Sequence, residues 1–351
     1  TIDLGTGLDI VNGGAGNDLI SFGGRGAISA GDGNDTVNAT GNVDSLVDGG
    51  IGDNKIDLHL ASGNDTVSAG GGNDTILGGT GADNINAGAG TNSVDSGGGN
   101  DVIVTGAGDD TITGSGNLSI NAGDGANHVT TGAGNDTITT GAGNDVIDGS
   151  TGANVIDAGS GNDVVTGVGQ LTGGLGDDTI TGVGADTLTG SDGNDVITGS
   201  NSSSALLGGN GTDTLVGGTA ADTITGGTGV DKLTGGNGAD VFVFATGDTG
   251  VASAAADDSI TDFVAGTDHL KFGLAAGAAG NFFAGAAGGA DDYAAALTAA
   301  NAHLTGTVIY ASITYNAGGT TAVFVDTNGD HVADQAVILV GGATLTSVDI
   351  I

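Results

Sequence analysis

Aspartate recurs along this chain with a spacing that points to cation chemistry before any fold is considered. From Asp65 the same position returns every nine residues as Asp74, Asp83, Asn92, Asp101 and Asp110. A second run reads Asn127, Asp136, Asp145, Asn154 and Asp163, and a third reads Asp213, Asp222, Asp231 and Asp240. Asp9, Asp18, Asp35, Asp44, Asp178, Asp186 and Asp195 hold the corresponding place in less regular copies. If two such units make one coil of a stack, residues i and i+18 lie above one another. Carboxylates stacked about 5 Å apart in a poorly solvated turn repel strongly, and a dication between successive turns removes that penalty. Calcium suits the task because it accepts roughly six to eight carboxylate and carbonyl oxygens in loose geometry. Magnesium demands stricter octahedral geometry, and transition metals ask for His or Cys. All of these aspartates are therefore candidate calcium ligands, with several ions bound per chain. Asn54, Asn92, Asn127 and Asn154 replace the carboxylate and predict weaker or ion-free positions.

The elements that must hold those ligands are written into the same nine residues. A clean copy runs Ala69-Gly70-Gly71-Gly72-Asn73-Asp74-Thr75-Ile76-Leu77, and another begins at Thr140 and ends at Asp148. Six residues form a Gly-rich turn; three follow as polar, apolar, polar, the mark of a short strand with one buried face. A unit this short cannot bury its single Ile, Val or Leu alone, but two facing units can, and stacked coils make that core continuous. The predicted fold is all-β: a right-handed parallel β-roll, a calcium-stacked β-solenoid with two strands per coil. Shorter stretches without the aspartate at Gly23–Ile28, Gly114–Ile120 and Gly167–Leu171 predict bulges or missing cations. Ser200–Leu207 keeps the phase with serines in the turn. Gly52–Asp65 carries extra residues, including Lys55 and His59, and reads as a surface loop or a small binding patch.

Composition narrows the function further. The chain has 351 residues, 76 of them Gly, and a net charge of −38 with only four basic side chains. All of the acidic residues are Asp, which favours turns where Glu favours helices. Such a charge excludes a nucleic-acid backbone as partner and makes the compact state self-repelling unless cations neutralise it. Cysteine is absent, so there is neither a disulfide framework nor a thiolate metal site. No apolar run approaches the ~20 residues of a membrane-spanning helix, and no basic-plus-hydrophobic leader opens the chain. Without Glu there is no His-Glu-x-x-His motif, and His59, His128, His269, His303 and His331 are scattered without a nucleophile. These residues predict no catalytic site and no organic cofactor, hence no enzyme activity of their own.

The nonapeptide resembles the Gly-Gly-x-Gly-x-Asp-x-U-x unit of the RTX (repeats-in-toxin) family, with U an apolar residue. Complete copies stand at Gly13–Ile20, Gly208–Leu215, Gly226–Leu233 and Gly235–Phe242; many others carry Ala, Ser or Thr at the first Gly. The resemblance covers roughly residues 1–240 and implies calcium binding, secretion and the β-roll. After Asp240 the composition shifts. Val241–Phe244, Asp258–Phe263 and Gly266–Leu270 resemble the segment that closes the rolls of serralysin-type secreted proteins, so residues 241–351 are expected to form a capping region. Asp258 and Asp262 could there ligate a last cation or simply close turns.

Within the cap, the Ala-rich Asp291–Leu304 predicts one helix, and strands are expected at Val308–Tyr315, Ala322–Val325 and Ala336–Val340. Asp326–Asp334 between the last two reads equally as a calcium loop or a hydrated hairpin turn. The ending Leu345–Ile351, an aspartate followed by apolar residues, resembles the uncleaved signal read by type I secretion machinery. Thr1-Ile2 fit positions seven and eight of a repeat, which suggests a piece of a larger secreted protein. The leading expectation is an extracellular structural protein of a bacterial cell surface, a surface-layer or matrix subunit that self-associates with calcium. The absence of Cys and Met and the Ala/Gly/Thr/Asn/Asp-rich chain resemble RTX-type surface-layer proteins. The carrier region of a secreted enzyme or toxin is the alternative, and an adhesin-like binding module a third.

Overall fold

The structure, a computed structural model, describes residues 1–41, 44–245, 248, 257–273, 282–286, 293–304, 310–315 and 319–351. It is an all-β parallel β-solenoid with one helix among the described residues, in two compact units, Thr1–Gly174 and Leu175–Ile351.

In the first unit successive short strands alternate between two parallel sheets. One sheet aligns Ile56, Ile76, Val94, Ile112, Val129, Ile147 and Val165 in register. The other aligns Val47, Val67, Ile85, Ile103, Ile120, Ile138 and Ile156. The buried–exposed alternation along each strand turns one apolar residue per nonapeptide inward, and these two rows are buried throughout. Ile112 is fully buried; Ile112→Ala is expected to cost about 2–5 kcal/mol, because the stacked neighbours cannot collapse into the space it leaves. A urea midpoint close to that of the unaltered chain would contradict so rigid a core.

The irregular copies are absorbed by changing coil length. Leu19 pairs with Thr36 and Val102 with Ser119, one residue short of the usual interval. Leu46 pairs with Thr66, and Lys55 with Thr75, so the extra residues around Leu58–Leu60 lengthen the coil without breaking either sheet. His59 is exposed there and its ring pairs with Asp57.

The second unit has two apolar rows of the same kind, Ile180, Ile197, Leu215 and Leu233 in one sheet, and Leu188, Leu206, Ile224 and Phe242 in the other. The sheets extend past Asp240. Leu233 pairs onward with Ile260 and Phe242 with Leu270. Strand Gln335–Val340 adds in parallel beyond Asp258–Ile260, then Thr320–Val325 and Tyr310–Tyr315 turn antiparallel. The helix Tyr293–Asn301 packs Ala296 and Ala300 with Leu304 against Ile313, Phe324 and Ala336. The expected helix start at Asp291 and strand start at Val308 lie outside the described residues.

Glycine is required where coils touch. Gly227 has φ +105°, and a Cβ there would lie 2.0 Å from the Gly209 carbonyl oxygen of the preceding coil. Backbone meets backbone at that point, so neither side can give way.

Candidate cation-binding edges

Each edge of the roll carries an inner row of aspartates joined by one repeated hydrogen bond. The backbone N–H of an inner residue donates to the side-chain Oδ1 of the inner residue one coil further on. On one edge of the first unit the chain of donations runs Asp18 to Asp35 (2.7 Å), Asp35 to Asn54 (3.0 Å) and Asn54 to Asp74 (2.8 Å). It continues from Asp74 to Asn92, Asp110, Asn127, Asp145 and Asp163. On the other edge it links Ser45, Asp65, Asp83 and Asp101, and then Leu118, Asp136 and Asn154. The second unit repeats the pattern through Asp178, Asp195, Asp213 and Asp231. Its other edge runs through Asp186, Ser204, Asp222 and Asp240.

That bond accounts for one carboxylate oxygen; the second accepts a turn N–H at Asp83, from Gly79, and at Asp186, from Gly184, but not along most of the row. The Oδ2 atoms of Asp35, Asp74, Asp136, Asp195, Asp213, Asp222, Asp231 and Asp240 are buried without a hydrogen-bond donor. Asp145, Asp213 and Asp240 are 0% exposed. In complete copies the carboxylate folds back against the first glycine: a Cβ on Gly208 would lie 2.3 Å from Asp213 Oδ2, and one on Gly235 2.4 Å from Asp240 Oδ2. A buried anionic oxygen without a donor costs several kcal/mol unless a cation meets it.

The same burial pushes these carboxyls well above their ordinary range. Desolvation, with like-charge neighbours adding to it, raises Asp65, Asp231 and Asp240 to about 6 and Asp213 to about 7. Asp163 also rises to about 6, and Asp74, Asp101, Asp110, Asp145, Asp195 and Asp222 move in the same direction through burial. Among the described residues no three His or acidic side chains converge, so an ion at these edges would draw on one or two carboxylates and complete its shell with turn carbonyls. Hard oxygen donors in Gly-rich turns fit calcium, whose charge would supply the missing neutralisation.

Placement differs from expectation at a few aspartates. Asp44 is exposed and belongs to an outer row, where its Oδ1 accepts the Asn64 N–H at 2.9 Å; Ser45 takes the inner place. The reason is phase: Val47 is buried and Leu46 exposed, which turns Ser45 inward. The outer row, including Asn17, Asn34, Asp53 and Asn73, donates in the opposite direction, each side chain accepting an N–H from the following coil. Asp9 lies opposite Gly26 and so lacks a carboxylate partner on the next coil.

Two inner positions lie 27 and 28 residues beyond their partners rather than 18: Asp258, which the sequence leaves between a cation ligand and a turn, and Asp268, which its spacing does not single out. Asp258 Oδ1 accepts the Asp231 N–H and Asp268 Oδ1 accepts the Asp240 N–H. Asp258 is 0% exposed, its Oδ2 has no donor, and burial raises its pKa to about 8. Asp262 differs: its two oxygens accept the Gly235 and Gly236 N–H groups. In the 326–334 loop both Asp326 oxygens accept backbone N–H groups, from Gly329 and His331. Asp334 Oδ2 accepts from Thr327. This loop closes as a turn on its own donors.

Stacked parallel coils with rows of inward carboxylates along their turns define the class: a cation-stacked β-solenoid. The family model described as RTX calcium-binding nonapeptide repeat (4 copies) matches residues 1–25, 61–94, 95–117, 119–147, 139–169, 181–203 and 207–242, together more than half of the chain. The chain belongs to this RTX calcium-binding family. Among solved structures it is similar to the AlgE6R3 subunit of the Azotobacter vinelandii mannuronan C5-epimerase, at 25% identity and TM-score 0.23, over 54% of this chain and 80% of that one. The AlgE6R2 subunit of the same epimerase matches at 24% identity and TM-score 0.26, over 52% and 90%. Comparison with curated proteins gives no match. No helix among the described residues is long and apolar enough to cross a membrane.

Proposed function

We propose that this chain is an extracellular structural protein of a bacterial cell surface, a surface-layer or matrix subunit that calcium folds and assembles. The observation that carries this reading is the repetition, coil after coil, of a buried carboxylate oxygen without a donor. A chain with net charge −38 is kept expanded by its own repulsion where calcium is scarce. Type I secretion would pass it across the envelope in that state. Outside, extracellular modules load calcium at about 10⁻⁴–10⁻³ M, so binding and folding become one event. The inner-row aspartates are the proposed ligands. The nonapeptide roll to residue 240 is the folding unit, and residues 241–351 close it and carry the export signal.

The test is a calcium titration of the purified chain, followed by far-UV circular dichroism and sedimentation together. Conversion of coil to β structure at sub- to low-millimolar calcium, with larger species following, is the expected result. Folding that leaves a monomer at every calcium concentration would remove the surface assembly and recast the roll as a carrier module. Full folding in chelator would remove the export mechanism as well.

A further inference from the structure

The inner row on one edge of the first unit is not uniform. From Asp35 to Asp145 it alternates strictly: Asp35, Asn54, Asp74, Asn92, Asp110, Asn127, Asp145. Asp and Asn are isosteric, and in both the Oδ1 accepts the same N–H from the preceding coil. That bond settles which atom of the amide is oxygen and therefore where the NH2 group points. Asn92 Nδ2 donates to the Gly88 and Gly90 carbonyls at 3.4 and 3.2 Å, and Asn127 Nδ2 to Gly123 and Gly125 at 3.1 and 3.2 Å. Asn54 Nδ2 reaches Gly52 O and Ala69 O, and on the other edge Asn154 Nδ2 reaches Gly149 O at 2.7 Å. An amide NH2 has two donors, and in these turns it spends them on turn carbonyls, the oxygens a calcium ion would otherwise collect. The equivalent atom in Asp35 and Asp74 is an acceptor with no donor.

We propose that Asn54, Asn92, Asn127 and Asn154 are internal substitutes for the cation, so that the first unit interleaves turns that need calcium with turns that do not. Alternation also spaces the carboxylates on that edge two coils apart, about 10 Å, close to one Debye length, instead of about 5 Å. The second unit reaches the same end with a hydroxyl: Ser204 Oγ lies 3.2 Å from the Ser202 carbonyl oxygen and accepts the Asp186 N–H. The amide turns give the chain pre-satisfied coils against which the calcium-dependent ones close, which lowers the calcium needed to fold.

The full chain tests this with reciprocal pairs, reading the calcium midpoint of folding by circular dichroism and the ions bound by calorimetry. An ordinary ligand loss raises the midpoint. D74N/D110N is instead expected to lower it by about twofold or more while binding fewer ions. N92D/N127D is expected to raise the midpoint and bind more ions, and D74A/D110A to raise it while binding fewer. A midpoint for D74N/D110N that rises like that of D74A/D110A would overturn the proposal, as would N92D/N127D leaving both readings unchanged.

Discussion

Chelating calcium at about pH 7.5 is expected to remove most of the β signal of this chain, and acidifying the chelated sample towards about pH 4 to restore part of it. The first half follows from magnitudes. At tenfold excess over its Kd each calcium site adds about 1.4 kcal/mol, so a handful of sites matches the ~5–15 kcal/mol by which a domain is stable at all. The second half follows from the sign of the carboxyl shifts. Asp65, Asp231 and Asp240 at about 6, Asp213 at about 7 and Asp258 at about 8 all lie above the ordinary value of 3.8. The metal-free roll therefore binds protons more tightly than the unfolded chain. Its stability is fully present below about pH 4 and is lost as pH rises through about 6 to 8, the reverse of a salt-bridged carboxylate. Protons and calcium relieve the same buried charge, so calcium affinity should fall on acidification as the metal-free roll gains stability. Circular dichroism in chelator between pH 8 and 4 checks this; β signal that stays flat or declines on acidification would show that these carboxylates are not desolvated in the metal-free fold.

The second large effect is expected at Gly227. Its φ of +105° already disfavours any side chain, and the 2.0 Å approach to Gly209 O leaves a methyl no space. Gly227→Ala should cost about 3–5 kcal/mol at saturating calcium, since the coils must part and break the adjacent ladder of sheet bonds. Gly71 is the control: a Cβ there meets nothing within 4 Å, and Gly71→Ala should shift a urea midpoint little. Equal effects at the two positions would mean that the coils are looser than this packing.

Much of this was legible because period and chemistry coincide. A nine-residue interval with one apolar residue two places after the aspartate fixes which side chain faces inward: Ile76 follows Asp74 and Leu215 follows Asp213, and both are fully buried. The same rule failed at Asp44 because Leu46 and Val47 are both apolar, and either phase satisfies the local pattern. Asp258 and Asp268 were illegible as coil members because non-repeat sequence separates each from its partner, and pairing across such an interval is settled by the sheet, not by spacing.

The amino-acid sequence by itself determined the β-roll, its apolar rows, the calcium chemistry and the family, because each unit repeats the same local choice and stacking enforces agreement between neighbours. Tertiary structure alone decided which oxygen of each carboxylate is spent on the coil before it and which is left for a cation. It also decided where an asparagine amide takes the cation's place, and how far the inner rows run past the last repeat. Those outcomes depend on hydrogen bonds between residues a full coil apart, which no single nonapeptide contains.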